Sequence, residues 1–247
     1  MNEITKFNQR LTQEWLVPFC LAKGLTHEGF DGRAAATLSE NDVRDFMESL
    51  DYGLVTHHQD GRFVAPQSKA TESIFWECSK KSVPRKITLW LEPIITMGAL
   101  RKLQRDFGWT KEFLGLQSKT WAFDLVAYNP EDLNLEYLLC EVKKSTKEID
   151  SLIHFMQKHL DSPASIEDTL KGSERNAFRK VMALRTSSCE VFWALGPNSY
   201  DNVFKVLRGK NNSIQLLPAD DSALHEPNNS SKLTPSAGRF KSDFRNP

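Results

Sequence analysis

The hydrophobic and polar positions of the first fifty residues follow helical periodicity. Their spacing predicts one helix over 5–16, which ends near Pro18 because proline cannot continue a helix interior. A second helix is predicted to begin at Ser39, whose spacing to Asp42 resembles a capping box with Asp in place of Glu. The apolar face of this second helix consists of Val43, Phe46, Met47 and Leu50.

A strand-like pattern follows the second helix. Two short runs, 54–56 and 62–65, flank Asp60 and Gly61, a dipeptide that favours a tight hairpin turn. A helix followed by a hairpin is the order found at the end of a winged-helix module, although any helix-hairpin unit has that order. We therefore expect an N-terminal helical module over 1–84 and keep a winged-helix-like fold as one alternative for it.

Periodicity along the whole chain predicts helices in alternation with strands, which is typical of an α/β fold. Further helices are predicted over 71–81, 93–107, 147–160, 166–184 and 200–207, and strands over 111–116, 121–128, 136–142, 190–195 and 213–217. We assign residues 85–218 to this second domain. From 219 to 247 large apolar residues become scarce and Ser, Asn and Pro frequent, so we expect a tail that is disordered or ordered by a partner.

The composition of the 247 residues excludes several classes of protein. No apolar run is long enough to span a membrane, and the first ten residues lack the apolar segment of a signal peptide, so we expect a cytoplasmic protein. The four cysteines are scattered, which disfavours a disulfide framework or a zinc site. A net charge of zero argues against indiscriminate coating of nucleic acid, although basic clusters within 80–86, 101–111 and 171–185 could contact phosphates.

One block of sequence carries the candidate chemistry. Asp124 lies within an apolar strand, and Glu141 and Lys143 lie at the end of the next strand, where alternation points both side chains to one face. If the two strands pair as a hairpin, Asp124 comes to lie beside Glu141. Two adjacent carboxylates repel each other unless a cation lies between them, and their hard oxygens suit Mg²⁺ or Mn²⁺. Lys143 would then stabilise charge on a phosphate or orient a water nucleophile.

A structural interpretation of the same residues stays open. Glu141 and Lys143 could form a surface ion pair at the end of a hairpin, and such a pair contributes little to stability. Asp124 favours the catalytic interpretation, because a charge inside an apolar strand needs a partner.

The order of helix, strand, Asp124-bearing strand, Glu141-x-Lys143-bearing strand and helix resembles the PD-(D/E)xK superfamily of restriction-endonuclease-like nucleases. The stretches GALRKLQRDFGW, FDLVAY and LLCEVK carry this resemblance, which covers 92–160 with an extension to 217, and Phe123 stands in place of the family's proline. The resemblance implies a restriction-endonuclease-like core, in which helices flank a mixed sheet. It also implies an endonuclease that hydrolyses phosphodiester bonds in DNA with Mg²⁺ or Mn²⁺.

The resemblance further assigns roles to individual residues. It implies catalytic roles for Asp124, Glu141 and Lys143, and it implies metal ligation by Asp124, Glu141 and Val142. Another catalytic and metal-site carboxylate is expected on the helix before the first strand, and Glu92 matches that place. Two other glutamates are rivals for it: Glu77 and Glu112.

Two other functions remain open alternatives. The chain could be a winged-helix protein that binds nucleic acid without cutting it. It could instead be a nuclease-like subunit that is active only within a larger defence, repair or transposition complex, with a protein partner or as a homodimer. The complete set of Asp124, Glu141 and Lys143 favours an active nuclease whose partner is DNA.

Overall fold

The structure is a computed structural model that describes residues 2–227. Within this range the α-helices are α1 (Glu3–Arg10), α2 (Val17–Lys23), α3 (Glu40–Asp51), α4 (Leu91–Phe107), α5 (Thr146–Lys158) and α6 (Gly172–Thr186). A π-helical turn, Leu11–Leu16, joins α1 to α2. None of the helices in the described range is both long and apolar enough to cross a membrane.

The strands of the described range form three sheets. They are β1 (Phe30–Asp31), β2 (Thr56–His57), β3 (Arg62–Val64), β4 (Glu72–Ser73), β5 (Phe75–Glu77), β6 (Ile87–Leu89), β7 (Leu114–Leu116), β8 (Leu125–Asn129), β9 (Asp132–Val142), β10 (Val191–Leu195), β11 (Asp201–Arg208) and β12 (Ile214–Ala219). The strand orders are β12-β11-β10-β9-β8-β7, β1-β6-β5 and β2-β3-β4. In the six-stranded sheet β9 and β10 run parallel, and the other neighbours run antiparallel. The chain is therefore a mixed α/β protein, as the alternation of helices and strands predicted.

Helices cover both faces of the six-stranded sheet. Alternate residues of β8 and β9 belong to two apolar clusters, one shared with α4 and the other with α5 and α6. This arrangement explains why β8 is a continuous apolar run rather than an alternating one. Leu139 lies in the cluster with α5 and α6, and Glu141 follows it two residues later on the same face. The sheet thus directs Glu141 towards the helices that follow β9.

The N-terminal part shares its core with the rest of the domain. α3 packs on α4 so closely that a Cβ at Gly98 would come within 3.2 Å of the Phe46 backbone nitrogen. The Phe46 ring also contacts the rings of Phe7 and Trp15, at centroid distances of 6.0 and 5.1 Å. One apolar cluster extends from Phe7 to Leu224. The core therefore crosses residue 84, where the sequence predicted a boundary between modules.

The hairpin predicted around Gly61 is present. β2 and β3 pair antiparallel, Gly61 has a φ of 82°, and β4 adds a third strand. Between β3 and β4, the backbone N–H groups of Gln67 and Lys69 donate to carbonyls of β7 over 3.0 Å each, so this segment lines the edge of the six-stranded sheet. The order of helix and hairpin agrees with the winged-helix-like alternative, which stays a prediction.

The first predicted helix continues past Pro18, so its predicted end was wrong. The backbone N–H of Val17 donates to the carbonyl of Thr12, an i→i+5 bond of the π-helical turn. This wider turn changes the hydrogen-bond register just before the proline, which has no N–H to donate. The helix then ends at Gly24, which adopts a left-handed φ of 64°.

Two ranges predicted as helices are strands in the structure. The range 71–81 contains β4 and β5, and β5 pairs antiparallel with β6. Phe75 is buried whereas Trp76 is exposed, which is the alternation of a strand. All but the first residue of the range 200–207 lie in β11, which pairs with β10 on one side and β12 on the other. Pairing with neighbouring strands outweighs a weak local preference for helix in both ranges.

The predicted capping box at Ser39 is confirmed at the start of α3. Ser39 Oγ accepts a hydrogen bond from the Asp42 backbone N–H over 3.1 Å, and Asp42 Oδ2 accepts one from the Ser39 backbone N–H over 3.0 Å. Asp42 also accepts from the backbone N–H of Asn198, which ties the start of α3 to the loop after β10.

Loss of this cap should lower stability by a modest amount. We expect Ser39→Ala to reduce the free energy of unfolding by about 1 kcal/mol, because a backbone N–H of the first turn loses its acceptor. Urea denaturation of both proteins measures the difference. Ser39→Thr, which keeps a hydroxyl that accepts from the Asp42 N–H and donates to the Asp42 carboxylate, should recover most of it, and an unchanged midpoint for Ser39→Ala would show that the cap contributes nothing.

The range predicted as a tail begins with a segment that packs on the domain. The Trp109 indole N–H donates to the Leu224 carbonyl over 2.7 Å, and Glu226 Oε2 accepts from the Thr110 backbone N–H over 3.2 Å. Leu224 is buried in the core. Residues 219–227 thus differ from the disordered or partner-ordered tail expected from their composition, because the buried side chain of Leu224 and hydrogen bonds to Phe107, Trp109 and Thr110 hold the segment. Residues 228–247 lie outside the described range.

Candidate active site

The sheet brings Asp124 and Glu141 together as the hairpin hypothesis predicted. Asp124 directly precedes β8, and its backbone N–H donates to the Cys140 carbonyl of β9 over 3.0 Å. Its Oδ2 accepts a hydrogen bond from the backbone N–H of Val142 over 2.8 Å. The Asp124 carboxyl is therefore fixed against the strand that carries Glu141.

Glu141 is a buried carboxylate held between two ammonium groups. Its side chain is 2% exposed. Oε1 accepts from Lys143 Nζ and Oε2 accepts from Lys180 Nζ, each over 2.5 Å. A carboxylate removed from water costs several kcal/mol unless charges of opposite sign compensate it, and the two lysines supply that compensation. The pair of Glu141 and Lys143 is thus part of a buried network and not an ion pair at the surface.

Lys180 is a site residue that sequence reasoning missed. It projects from α6, and besides Glu141 it donates to the Ala122 carbonyl over 2.6 Å. Its Nζ also lies 5.3 Å from the centroid of the Phe123 ring. The sequence places Lys180 in a basic cluster, which is typical of a solvated helix face. Its contact with Glu141 depends on how α6 packs on the sheet. The spacing of residues along the sequence does not predict that packing.

Burial and neighbouring charges perturb the acid–base properties of these groups. Burial, and after it the charge of Glu141, raises the pKa of Asp124 from 3.8 to about 8, although Lys180 and Lys143 oppose the rise. For Lys143, burial lowers the pKa, but the charges of Glu141 and Asp124 outweigh that effect and raise it above its ordinary value. At neutral pH the Asp124 carboxyl therefore retains a proton that a bound cation would displace.

The structure places Glu92 in the same cleft as Lys143. Glu92 lies in the first turn of α4, and burial raises its pKa while the charge of Lys143 lowers it. The rivals lie elsewhere: Glu77, in β5, pairs with Arg85 over 2.9 Å, and Glu112 is exposed in the short 3₁₀ turn before β7. Among the three glutamates that the sequence left open, Glu92 is the one whose charge reaches Glu141 and Lys143.

Glu72 adds a carboxylate that the sequence analysis did not consider. Its Oε1 accepts from Gln117 Nε2 over 2.6 Å, and the Gln117 backbone N–H donates to the Asp124 carbonyl over 2.9 Å. Burial raises the pKa of Glu72, the Gln117 hydrogen bond lowers it, and the charge of Glu92 raises it. Because 71–81 was predicted to be a helix of the N-terminal module, this residue had no apparent link to the site.

An open cleft of about 440 Å³ gives access to these groups. Its walls come from the first turn of α4, the loop before β8, the end of β9, α5 and α6. The residues that line it are Glu92, Trp121, Ala122, Lys143, Glu148, Ser151, Leu152, Ser173, Asn176, Arg179 and Lys180. Asp124 and Glu141 lie behind this lining: Glu141 contacts Lys143 and Lys180, and the charges of both lysines act on Asp124.

The donor atoms at the base of the cleft suit a hard divalent cation. Among residues 2–227 no cluster of three or more His, Cys, Asp or Glu side chains is arranged as a complete metal site. Mg²⁺, however, is commonly held by one or two carboxylates together with water and substrate phosphates. Asp124 and Glu141 supply two such carboxylates, and the Val142 carbonyl, which accepts from Lys143 Nζ over 3.1 Å, supplies a third oxygen. On binding the metal, Glu141 would give up its contact with one of the two lysine ammonium groups.

No protein-family model, curated protein or solved structure matches the chain. The function is therefore inferred from the residues of the cleft and their geometry.

Proposed function

We propose that the chain is a divalent-metal-dependent nuclease that hydrolyses phosphodiester bonds in DNA, with the cleft as its active site. One observation carries this proposal. The buried carboxylate of Glu141 lies next to Asp124 and between Lys143 and Lys180, at the base of an open cleft. Burying the Glu141 carboxylate, with Asp124, Lys143 and Lys180 partly buried around it, costs free energy that an apolar core would not require, and such groups are expected where chemistry needs them.

The order of elements around these residues supports the resemblance to PD-(D/E)xK nucleases. Helix α4 is followed by β7, by β8 with Asp124 immediately before it, by β9 with Glu141 near its end, and by α5. This is the order on which the resemblance rests, and Lys143 follows directly after β9.

The charge balance of the cleft favours a metal-dependent reaction over binding of nucleic acid alone. The carboxylates that line it or interact with its lining are Glu92, Asp124, Glu141 and Glu148, and the cations are Lys143, Arg179 and Lys180. When all four carboxylates are ionised they outnumber the cations, and they repel phosphate groups unless a further cation neutralises part of their charge. A divalent metal would provide that neutralisation and would also lower the raised pKa of Asp124.

Each residue has a distinct role in this proposal. Asp124, Glu141 and the Val142 carbonyl would hold Mg²⁺ or Mn²⁺, and Glu92 would add a carboxylate from the first turn of α4, beside the end of β9. The metal, when bound, would polarise the phosphoryl oxygens and make a bound water more acidic. Lys143 would face the phosphate and stabilise the negative charge that develops during hydrolysis. Lys180 would hold the second oxygen of Glu141 and keep that carboxylate in position.

Incubation of the purified chain with nucleic acids tests the proposed activity. We expect cleavage of DNA in Mg²⁺ or Mn²⁺ and none in EDTA. Supercoiled plasmid, linear duplex, single-stranded DNA and RNA should be compared in the same buffer. Absence of cleavage for every substrate in Mg²⁺ and in Mn²⁺, or cleavage that persists in EDTA, would contradict it.

A further inference from the structure

Trp121 forms part of the cleft wall and exposes its indole to solvent. The side chain is 68% exposed, and it lines the cleft together with Lys143 and Lys180. The exposed Trp76 and Trp90, by contrast, contact each other with ring centroids 5.4 Å apart. A single exposed aromatic residue is common on protein surfaces, but Trp121 lines a cleft beside two ammonium groups, where its flat apolar ring can contact a ligand.

The backbone holds Trp121 in a fixed position relative to Asp124. Trp121 has a φ of 57°, a left-handed conformation that bulky residues rarely adopt. Its backbone N–H donates to the Ser118 carbonyl over 2.9 Å, and the Ser118 hydroxyl accepts from the N–H groups of Ala122 and Phe123. Ser118 is itself fully buried. The turn therefore fixes the backbone of Trp121, three residues before Asp124.

The groups around Trp121 match the chemistry of a nucleotide. Lys143 and Arg179 line the cleft and can contact phosphate oxygens, Arg179 being 55% exposed beside its partner Glu167, and the indole offers a flat apolar surface. Aromatic side chains bind nucleic acid by stacking on the faces of bases, and every base can stack in this way. A base inside a duplex has both faces covered by its neighbours, so only an unpaired or extruded base can stack on Trp121.

We propose that Trp121 stacks on a nucleobase next to the phosphate that is cut, and that this cleft therefore acts on unpaired DNA strands. This inference rests on the proposed nuclease function and specifies its substrate class. Trp121 is a substrate-binding residue here, and it selects an unstacked strand over an intact duplex.

Binding of one labelled oligonucleotide, as a single strand and as a duplex, tests this inference. The proteins are wild type, Trp121→Ala, Trp121→Phe and the control Trp76→Ala, and Ca²⁺ replaces Mg²⁺ so that no strand is cut. Loss of base stacking should weaken single-strand binding by about tenfold or more in Trp121→Ala and change duplex binding little. Trp121→Phe should keep most of the affinity and Trp76→Ala all of it. Equal binding of the single strand by Trp121→Ala and wild type would overturn the inference, as would an equal loss on both forms.

Cleavage assays with the same proteins separate this inference from the proposed function. In Mg²⁺, we expect Trp121→Ala to raise KM for the single strand more than it lowers kcat. If wild type and Trp121→Ala cut the single strand equally well, the inference fails while the nuclease function stands. If wild type cuts nothing yet Trp121 governs single-strand binding, the nuclease function fails while the stacking role of Trp121 stands.

Discussion

Replacement of Lys143 by methionine should lower the rate of DNA cleavage at least about a hundredfold. Lys143 Nζ lies at the surface of the cleft next to Glu141, where it can face a phosphate and stabilise the charge that develops during hydrolysis. Removal of one well-placed charged group from such a site typically costs a factor of this order in rate. Methionine keeps the alkyl stem and removes the charge.

The neighbouring Lys144 provides a matched control for this experiment. Its side chain is 58% exposed and pairs loosely with Glu148 at 3.7 Å, so Lys144→Met should cut DNA at the wild-type rate. Lys143→Met should remain folded, since Lys180 still compensates Glu141, and the loss of stability should stay below the roughly 3–5 kcal/mol of a fully broken buried pair. Melting temperature, DNA affinity in Ca²⁺ and cleavage in Mg²⁺ measure these effects. Normal cleavage by Lys143→Met would remove it from the active site.

Replacement of Asp124 by asparagine should abolish cleavage and, at alkaline pH, stabilise the fold. The amide removes a ligand charge, so metal-dependent activity should fall at least about a hundredfold. The amide oxygen can still accept the hydrogen bond that Asp124 receives from the Val142 N–H. Stability should rise because burial and Glu141 make the ionised Asp124 unfavourable in the folded protein.

The pH dependence of this gain follows from the pKa of Asp124. In the folded protein the pKa is raised from 3.8 to about 8, so the folded state binds more protons than the unfolded state between these values. The contribution of Asp124 to the free energy of unfolding of wild type therefore falls as pH rises from about 4 to about 8, and it is constant above that. The amide of the Asp124→Asn variant does not titrate, so this decrease in stability does not occur in the variant.

Chemical denaturation in EDTA at pH 5, 7 and 9 measures this difference. We expect Asp124→Asn to exceed wild type by up to about 5 kcal/mol at pH 9, because each pKa unit between 3.8 and about 8 corresponds to about 1.4 kcal/mol, and by about 1–2 kcal/mol at pH 5. Asp168→Asn is the control, since the Asp168 side chain is 95% exposed. A variant that is less stable than wild type at pH 9 would contradict the raised pKa of Asp124.

The juxtaposition of Asp124 and Glu141 could be predicted from sequence because it depends on local rules. Strand alternation gives the face of Glu141, and the short connection between β8 and β9 makes their antiparallel pairing the simplest arrangement. The start of α3 was predictable for a similar reason, since the capping box involves residues three apart in sequence. In each case the interacting groups are close in the chain or follow one another in the fold.

Lys180 and Glu72 could not be predicted because they reach the site through tertiary packing. Lys180 is 39 residues from Glu141, and only the packing of α6 on the sheet brings it near. Glu72 approaches through Gln117, 45 residues away. The two ranges mistaken for helices, 71–81 and 200–207, fail for the same reason, since pairing with distant strands decides their conformation.

A divalent cation shared by Asp124 and Glu141 is the premise of the proposed nuclease activity, and calorimetric titration with Mn²⁺ tests it most directly. Wild type, Asp124→Asn and the control Asp168→Asn should be titrated at the same pH after treatment with EDTA and its removal. We expect wild type and Asp168→Asn to bind Mn²⁺, and Asp124→Asn to lose this binding while remaining folded. Equal Mn²⁺ binding by wild type and Asp124→Asn, or no binding by folded wild type, would contradict a metal site at these carboxylates.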